Sequence, residues 1–271
     1  MIAELTEIFQ YGFMNRAFVV GIAVAVMAPL VGFFLVIRRF SMLVDTLSHV
    51  SLIGVATALL FQFSPVVGAV IASVLAGISM DRLRSQNRIF SDTILAIFLS
   101  GSLALTLILF SLGGGLGTNI FIYLFGSITT VSVNEVYETL FAGVLVTAVI
   151  LVIRRKLFLI SYDEDQAKIS GINTGLYNLV LMVLVGVVIA LSIKAIGALL
   201  IGALMIIPVA SAIQLNKGMT KTILFSIIFS IIAVISGLYL SFYFDLPSSA
   251  VIVLCLLLIF TLSFFAKRKL D

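Results

Sequence analysis

The chain has 271 residues, of which 62% are hydrophobic and only 10% are charged. Soluble domains average about 45–50% apolar and about 25% charged residues, so this composition excludes an ordinary soluble globule and a disordered chain. The net charge of +4 is therefore interpreted as a feature of a membrane protein and not as evidence of nucleic-acid binding. The single cysteine, Cys255, excludes an internal disulfide and a cysteine-cluster metal site.

Nine apolar stretches are candidates for membrane-spanning helices, because a helix needs roughly 20 apolar residues to cross the hydrocarbon layer. The third and fifth are short, and only Lys194 and Gly197 divide the sixth from the seventh, so eight spans remain an alternative. We expect an all-α polytopic membrane protein with a single transmembrane domain over residues 1–271. In chain order the stretches are about 17–37, 43–62, 64–80, 93–112, 136–153, 176–194, 196–214, 221–242 and 247–265.

Basic residues are divided unevenly between the loops on the two sides of these spans. All but two of the 16 lysines and arginines fall on one side, and only Arg16 and Lys194 fall on the other. Because cytoplasmic loops carry the excess of basic residues, this division predicts an outside N-terminus and a cytoplasmic C-terminus. The outer side carries acidic residues instead, and Glu135, Glu138 and Asp245 are candidates for an outer vestibule.

Two loops differ in composition from the rest of the chain. Residues 113–119 (GGGLGTN) predict a flexible outer loop that leads into a short interfacial or re-entrant segment at 120–127. No Lys-Ser/Thr pair follows these glycines, so they do not form a phosphate loop. Residues 163–171 begin with acidic side chains and end with glycine, which is typical of a short helix. Composition alone favours a solvated connector there over a docking helix for a cytoplasmic partner.

Asp45 and His49 are the ionisable side chains that fall inside the second apolar stretch. A carboxylate near the bilayer centre costs about 2.5–3.5 kcal/mol, so it should face protein or water. The i, i+4 spacing places both side chains on one helix face. A carboxylate oxygen and an imidazole nitrogen suit Zn²⁺, Mn²⁺ or Fe²⁺, and Ser41, Ser48 and Ser51 are candidates to hydrogen-bond these ligands.

The pair permits other interpretations. An Asp–His hydrogen bond could simply pin two helices together, and a proton relay would use the same two groups. If the pair binds metal, two donors do not complete a zinc shell, which usually has four. A two-fold dimer with the second helix on its axis would supply two oxygens and two nitrogens.

Two prolines, Pro29 and Pro208, lie inside apolar stretches. Each removes a backbone hydrogen bond and predicts a local bend. Static packing is the more common role of such bends, and a gating hinge is the alternative.

Two longer segments carry a resemblance to a known family. Residues 38–54 (RRFSMLVDTLSHVSLIG) and 195–212 (AIGALLIGALMIIPVASA) resemble the signatures of the membrane subunits of bacterial zinc and manganese ABC importers. The similarity continues over nearly the whole chain and includes residues 164–171 (EDQAKISG). The resemblance implies a multi-pass permease of the bacterial cytoplasmic membrane.

The resemblance also implies roles for particular residues and for partners. Such permeases form homodimers, receive metal from an extracytoplasmic binding protein and are driven by a separate cytoplasmic ATPase. The pathway Asp and His of the family match Asp45 and His49. Its coupling helix matches about 163–173, with Asp163, Glu164, Asp165, Ala167 and Gly171 as the candidate ATPase contacts. The absence of a Walker A pattern agrees with ATP hydrolysis on another chain, and no nucleic acid partner or permanent cofactor is expected.

The residues around Asp45 and His49 indicate which metal is the substrate. The segment DTLSHVS at 45–51 looks more like the zinc branch, of the ZnuB or AdcB type, because manganese relatives more often have Asp-Ala-(Leu/Ile)-Ser-His-Ala followed by proline. Zn²⁺ is therefore the expected substrate, with Mn²⁺ or Fe²⁺ as alternatives. An ion-coupled secondary transporter is a further alternative, whereas an intramembrane hydrolase would need more catalytic groups than one histidine and one buried acid.

Overall fold

The computed structural model describes residues 8–85, 91–112, 120–127 and 130–267. Within these ranges all regular secondary structure is helical, as the composition predicts. A 3₁₀ turn at Ile8–Gln10 precedes eleven α-helices. In chain order α1 to α11 are Gly12–Ile37, Ser41–Leu60, Pro65–Ser85, Ser91–Leu112, Ile120–Phe125, Val133–Tyr162, Glu164–Ile169, Thr174–Ser192, Ala198–Ile213, Met219–Phe244 and Ser248–Lys267. The glycine-rich segment 113–119 lies outside the described residues.

Each of the nine predicted apolar stretches corresponds to one of these helices, and the all-α membrane fold is confirmed. Eight of the helices in the described ranges are long and apolar enough to cross a membrane. The exception is α9, whose 16 residues extend only about 24 Å at 1.5 Å per residue. That length is shorter than a hydrocarbon core of about 30 Å. Helix length therefore supports the alternative of eight spans, with α9 as a shorter apolar helix.

The expectation that the fifth stretch is short is wrong, because α6 is the longest helix described, at 30 residues. It begins earlier than predicted, at a capping box in which Ser132 accepts from the backbone N–H of Glu135 and the Glu135 carboxylate accepts from the N–H of Ser132. It also continues through Arg154, Arg155 and Lys156, since arginine and lysine are good helix formers. Hydropathy locates the apolar part of such a helix and misses its polar extension.

Helices α1 and α2 form the centre of the bundle. In each of them 72% of the best apolar window is buried, against 17% in α4 and in α6. Helix α1 packs against α6, α9 and α10, and α2 packs against α3, α4 and α9. Helix α2 is therefore mostly buried, and Asp45 and His49 are among its few half-buried positions.

Glycines allow the backbones of two helix pairs, α2 with α3 and α1 with α9, to approach closely. A Cβ atom on Gly54 of α2 would overlap the backbone of Gly68 in α3, and one on Gly68 would overlap Gly54. A Cβ on Gly32 of α1 would overlap the Met205 carbonyl in α9. These close approaches are true backbone contacts, of the kind that stabilises helix pairs in lipid.

We expect Gly54→Ala to destabilise the protein by about 1–3 kcal/mol, because the added methyl group has no space and the two backbones must separate. The measurement is resistance to denaturation of the purified protein in detergent. Gly101→Ala is the matched control, since a Cβ at Gly101 meets nothing within 4 Å. Equal stability of the two variants would contradict the close packing of α2 and α3.

Pro29 and Pro208 lie within α1 and α9, and both are buried. The two helices continue through the prolines without a break. The hinge interpretation stays a prediction.

Candidate metal site and its surroundings

Asp45 and His49 lie on the least buried face of α2. The half-buried or exposed positions of this helix include Met42, Asp45, His49, Ile53 and Thr57, which repeat at intervals of three and four residues and so form one stripe. Helix α2 as a whole packs mainly against α3, α4 and α9. The pair is therefore presented along a single accessible edge of the most central part of the molecule.

The carboxylate of Asp45 lies against the backbone of α9. A Cβ atom at Gly202 would overlap Asp45 Oδ1, so the space that holds the carboxylate exists because residue 202 has no side chain. In the sequence Gly202 is only one small residue of an apolar stretch, and small residues in such stretches commonly let helices approach. Its role in making room for the carboxylate depends on the register between two helices about 160 residues apart in the chain.

The imidazole of His49 has a nitrogen available for a ligand. His49 Nδ1 is buried and has no hydrogen-bond partner within the part of the chain that the structure describes. Buried polar atoms are normally satisfied, so an unpartnered ring nitrogen beside an accessible edge is a chemically significant exception. In particular, no hydrogen bond forms between Nδ1 and Asp45 in this conformation.

Two of the three serines near the pair, Ser48 and Ser51, donate their hydroxyl protons to backbone carbonyls. Ser48 Oγ donates to the Val44 carbonyl at 2.8 Å, and Ser51 Oγ donates to the Ser48 carbonyl at 2.6 Å. Both hydrogen bonds stay within α2, and Ser41 is the first residue of the helix. The hydroxyl protons of Ser48 and Ser51 therefore go to backbone carbonyls. Hydrogen bonding of the serines to the metal ligands stays a prediction.

One copy of the chain supplies a small number of donors. No group of three or more His, Cys, Asp and Glu side chains capable of holding a metal ion occurs among the described residues. Asp45 and His49 therefore provide an incomplete shell for a metal that usually takes four ligands.

The acidic segment at 163–171 forms the short helix α7 on the side where α6 ends and α8 begins. The Asp163 carboxylate caps it by accepting from the backbone N–H of Gln166 at 2.9 Å. Gly171 ends the turn with a φ of +78°, a conformation that glycine adopts without strain.

Helix α7 has a buried side and a solvent side. Ala167 is fully buried, whereas the apolar Ile169 is 87% exposed. Lys168 lies 3.2 Å from Glu164 and 3.5 Å from Asp165, and hydrogen bonding to Glu164 raises the pKa of Lys168. The helix is thus anchored at Ala167 and presents charged residues and one isoleucine outward.

At the opposite end of α2 the candidate vestibule residues are divided between two sites. Glu135 and Glu138 line a cavity of about 310 Å³ together with Lys194 and Tyr123. Lys194 Nζ lies 2.6 Å from Glu135 Oε1, an ion pair that the sequence does not predict because the partners are 59 residues apart. Asp245 lies elsewhere, at the end of α10, where it lines a second cavity of about 350 Å³.

The segment 120–127 packs beside the cavity that Glu135 and Lys194 line, and its Tyr123 forms part of the lining. It contains the short helix α5, and the backbone N–H of Ser127 donates to the Lys194 carbonyl at 2.9 Å. Gly126 and Gly197 face each other so closely that a Cβ on either would overlap the other's backbone, and both have positive φ values. Two glycines at this contact let the segment lie against the turn between α8 and α9.

Comparison with known proteins gives a consistent result over the full length. A family model described as the ABC 3 transport family matches residues 10–267. The manganese import system permease protein ScaB of Streptococcus parasanguinis is 32% identical over 270 residues, covering 99% of this chain and 96% of that protein. The high-affinity zinc uptake system membrane protein ZnuB of Haemophilus influenzae is 29% identical over 254 residues, covering 94% and 97%.

A solved structure supports the same relationship in three dimensions. PsaBC from Streptococcus pneumoniae, in complex with Fab, matches 97% of this chain and 95% of the chain compared, at 31% sequence identity and a TM-score of 0.89. The arrangement of the helices described above is therefore that of an experimentally determined protein.

Proposed function

The chain belongs to the ABC 3 transport family, and from this premise we propose that it moves Zn²⁺ through the membrane along the Asp45–His49 edge of α2. As a member of that family it is a metal-transport permease, a multi-pass protein of the cytoplasmic membrane and not an enzyme, with ATP hydrolysis on a separate chain. The accessible stripe of α2, which carries a carboxylate and an unpartnered imidazole nitrogen, is the observation that carries the proposal.

The donor chemistry supports a divalent transition metal as the substrate. The stripe combines one carboxylate with one imidazole in a bundle whose buried polar side chains, among the described residues, are the uncharged Ser, Thr and Asn. Ionisable groups are unfavourable in such a place unless they have a function. A pair of donors replaces part of the water shell of the ion and leaves the shell incomplete. Partial coordination lets the ion enter and leave again, which a transport pathway requires.

Zn²⁺ is the proposed main cargo, and Mn²⁺ is the alternative. An imidazole ligand favours Zn²⁺ over Mn²⁺ in intrinsic affinity. The names of the relatives are divided, since ZnuB is a zinc uptake protein and ScaB a manganese import protein. The Asp–His donor pair and the DTLSHVS sequence at 45–51 support Zn²⁺ as the main cargo.

A second copy of the chain is proposed to complete the pathway. Two copies related by a two-fold axis, with their α2 edges facing each other, would offer two carboxylates and two imidazoles around one path. The incomplete donor set of one copy and the accessibility of the α2 edge support this arrangement.

The proposed cycle is alternating access, with residues 1–271 acting as one transmembrane permease domain. An extracytoplasmic metal-binding protein docks on the side that carries Glu135, Glu138 and Asp245, and the metal then enters between the two copies. The ATPase pushes on the coupling segment 163–173, through Asp163, Glu164, Asp165, Ala167 and Gly171, and changes which side is open. The anchored and exposed sides of α7 suit a segment that must transmit force.

We expect zinc uptake to depend on ATP and to exceed manganese uptake by at least about tenfold in initial rate at equal free metal, since imidazole-containing sites rank Zn²⁺ well above Mn²⁺. The experiment reconstitutes the permease with its ATPase and binding protein in liposomes and follows ⁶⁵Zn and ⁵⁴Mn separately. Faster manganese uptake would make Mn²⁺ the main cargo.

The same liposomes test the energy source. Uptake that continues without ATP and stops when a protonophore is added would replace the proposal by ion-coupled transport, in which Asp45 and His49 relay protons. Uptake that requires ATP and is unaffected by the protonophore supports the ABC mechanism.

A further inference from the structure

Arg38 lies in the short turn between α1 and α2, and its side chain reaches the two helices that flank α7. Its Nε donates to Ser161 Oγ at 3.0 Å, and its Nη1 donates to Asn178 Oδ1 at 2.7 Å. Ser161 lies in the last turn of α6, just before Asp163 begins α7, and Asn178 lies in the second turn of α8. One guanidinium therefore bonds to the chain on both sides of the coupling segment.

The acceptors are held in place by their own surroundings. The hydroxyl of Ser161 donates its proton to the Leu157 carbonyl at 2.7 Å, which turns an oxygen lone pair toward Arg38. Asn178 is 7% exposed, and a buried amide oxygen that loses its donor is costly to leave unsatisfied. The planar guanidinium suits two separate acceptors because its donors have a fixed geometry.

Arg38 is also tightly connected to the metal-binding part of α2. Only three residues separate the end of α1 at Ile37 from the start of α2 at Ser41. The backbone N–H of Phe40 donates to the Leu35 carbonyl at 2.8 Å, which holds this turn compact. Asp45 lies four residues into α2, roughly 6 Å along the helix axis.

The two regions joined by Arg38 pack mainly on different neighbours. Helix α7 packs against α6 and α8, whereas α2 packs mainly against α3, α4 and α9. Helix α1 packs against α6, and α2 also contacts α8, so the hydrogen bonds of Arg38 add a directional polar link beside this apolar packing.

We propose that Arg38 is a positioning residue that couples movement of the 163–173 segment to the Asp45–His49 edge of α2. The inference rests on the proposed function, because it assumes that the segment receives the ATPase and that the edge carries the metal. When the ATPase moves α7, the ends of α6 and α8 move with it, and Arg38 pulls the turn at the start of α2. Asp45 and His49 then shift relative to α9.

The test uses Arg38→Lys in the full complex of permease, ATPase and binding protein in liposomes. Lysine keeps the charge but replaces the planar fork by a single ammonium group, so it does not hold Ser161 and Asn178 in the same geometry. We expect the number of Zn²⁺ ions delivered per ATP hydrolysed to fall about tenfold, within the usual range of coupling between sites. Zinc binding by the purified permease should stay unchanged, because the variant leaves Asp45 and His49 intact.

Arg39→Lys is the matched control. It makes the same chemical change one residue later, at an exposed side chain, and keeps the backbone conformation at that position. We expect wild-type coupling for Arg39→Lys. An unchanged ratio of zinc to ATP in Arg38→Lys, or an equal loss in both variants, would overturn the inference.

A second pair of variants tests the coupling role of Arg38 if Arg38→Lys does not fold. Asn178→Asp keeps an acceptor oxygen for Arg38 and should transport zinc with wild-type coupling, whereas Asn178→Leu removes the acceptor at similar size and should lose it. Equal coupling in these two variants would also overturn the inference. Failure of the wild-type complex to take up zinc with ATP would instead contradict the proposed function, so the two failures are distinguishable.

Discussion

His49→Ala should reduce ATP-driven zinc uptake by at least about 100-fold, since removal of even a group that supports a metal ligand costs about 10–100-fold. The imidazole is the only nitrogen donor on the accessible edge of α2, and its Nδ1 has no competing hydrogen bond within the described chain. Asp45→Ala should have an effect of similar size, because it removes the only carboxylate there. The measurement is ⁶⁵Zn uptake by liposomes that contain the complete transporter.

Thr57→Ala is the control for the loss of His49. Thr57 lies two turns further along the same stripe, and its neutral hydroxyl, which donates to the Ile53 carbonyl at 2.7 Å, is not among the usual ligands of zinc. We expect near-normal uptake in this variant and normal amounts of all three proteins in the membrane. Near-normal uptake in His49→Ala or Asp45→Ala would contradict the assignment of these residues to the pathway.

Gly202→Ala should impair transport nearly as strongly as the loss of Asp45 itself. A methyl group at position 202 would occupy the space of Asp45 Oδ1, so either the carboxylate turns away or α2 and α9 separate. Overpacking of this kind costs about 1–3 kcal/mol, which corresponds to a loss of roughly 10–100-fold if it falls on the metal-binding conformation. Zinc uptake and zinc affinity of the purified permease are the measurements.

Gly143→Ala provides the comparison for this variant. Gly143 lies in the middle of α6, where a Cβ would make only ordinary contacts with Met27 at 3.8 Å, so its transport should be normal. The double variant Gly202→Ala/Asp45→Ala should be no worse than Asp45→Ala alone, because Asp45→Ala already removes the carboxylate that the new methyl group would displace. Additive losses would show that Gly202 acts on packing independently of Asp45.

Several features of the molecule could be read from the chain because they depend on local composition. The apolar stretches predict helices at the observed places because an intramembrane backbone must satisfy its own hydrogen bonds. Asp45 and His49 stand out because ionisable side chains are rare and costly in such stretches. The acidic start and glycine end of the segment at 163–171 likewise predict the short helix α7, since caps are formed by residues close in sequence.

Other features were misjudged or missed because they depend on distance in the chain. The full length of α6 includes a polar extension that hydropathy does not detect. The ion pair of Glu135 with Lys194 and the hydrogen bonds of Arg38 join residues 59 to 140 positions apart. The sequence contains each of these residues but holds no local signal that pairs them.

The amino-acid sequence by itself determined that this protein crosses a membrane, where most of its helices lie and which two side chains are the donors inside it. Hydrophobicity, helix propensity and the cost of burying charge are properties of a residue and its near neighbours, so they need no knowledge of the fold. The tertiary structure alone decided that the face shared by the two donors is the accessible edge of α2 and that Gly202 makes room for Asp45. Those outcomes follow from the register and packing of helices brought together from distant parts of the chain.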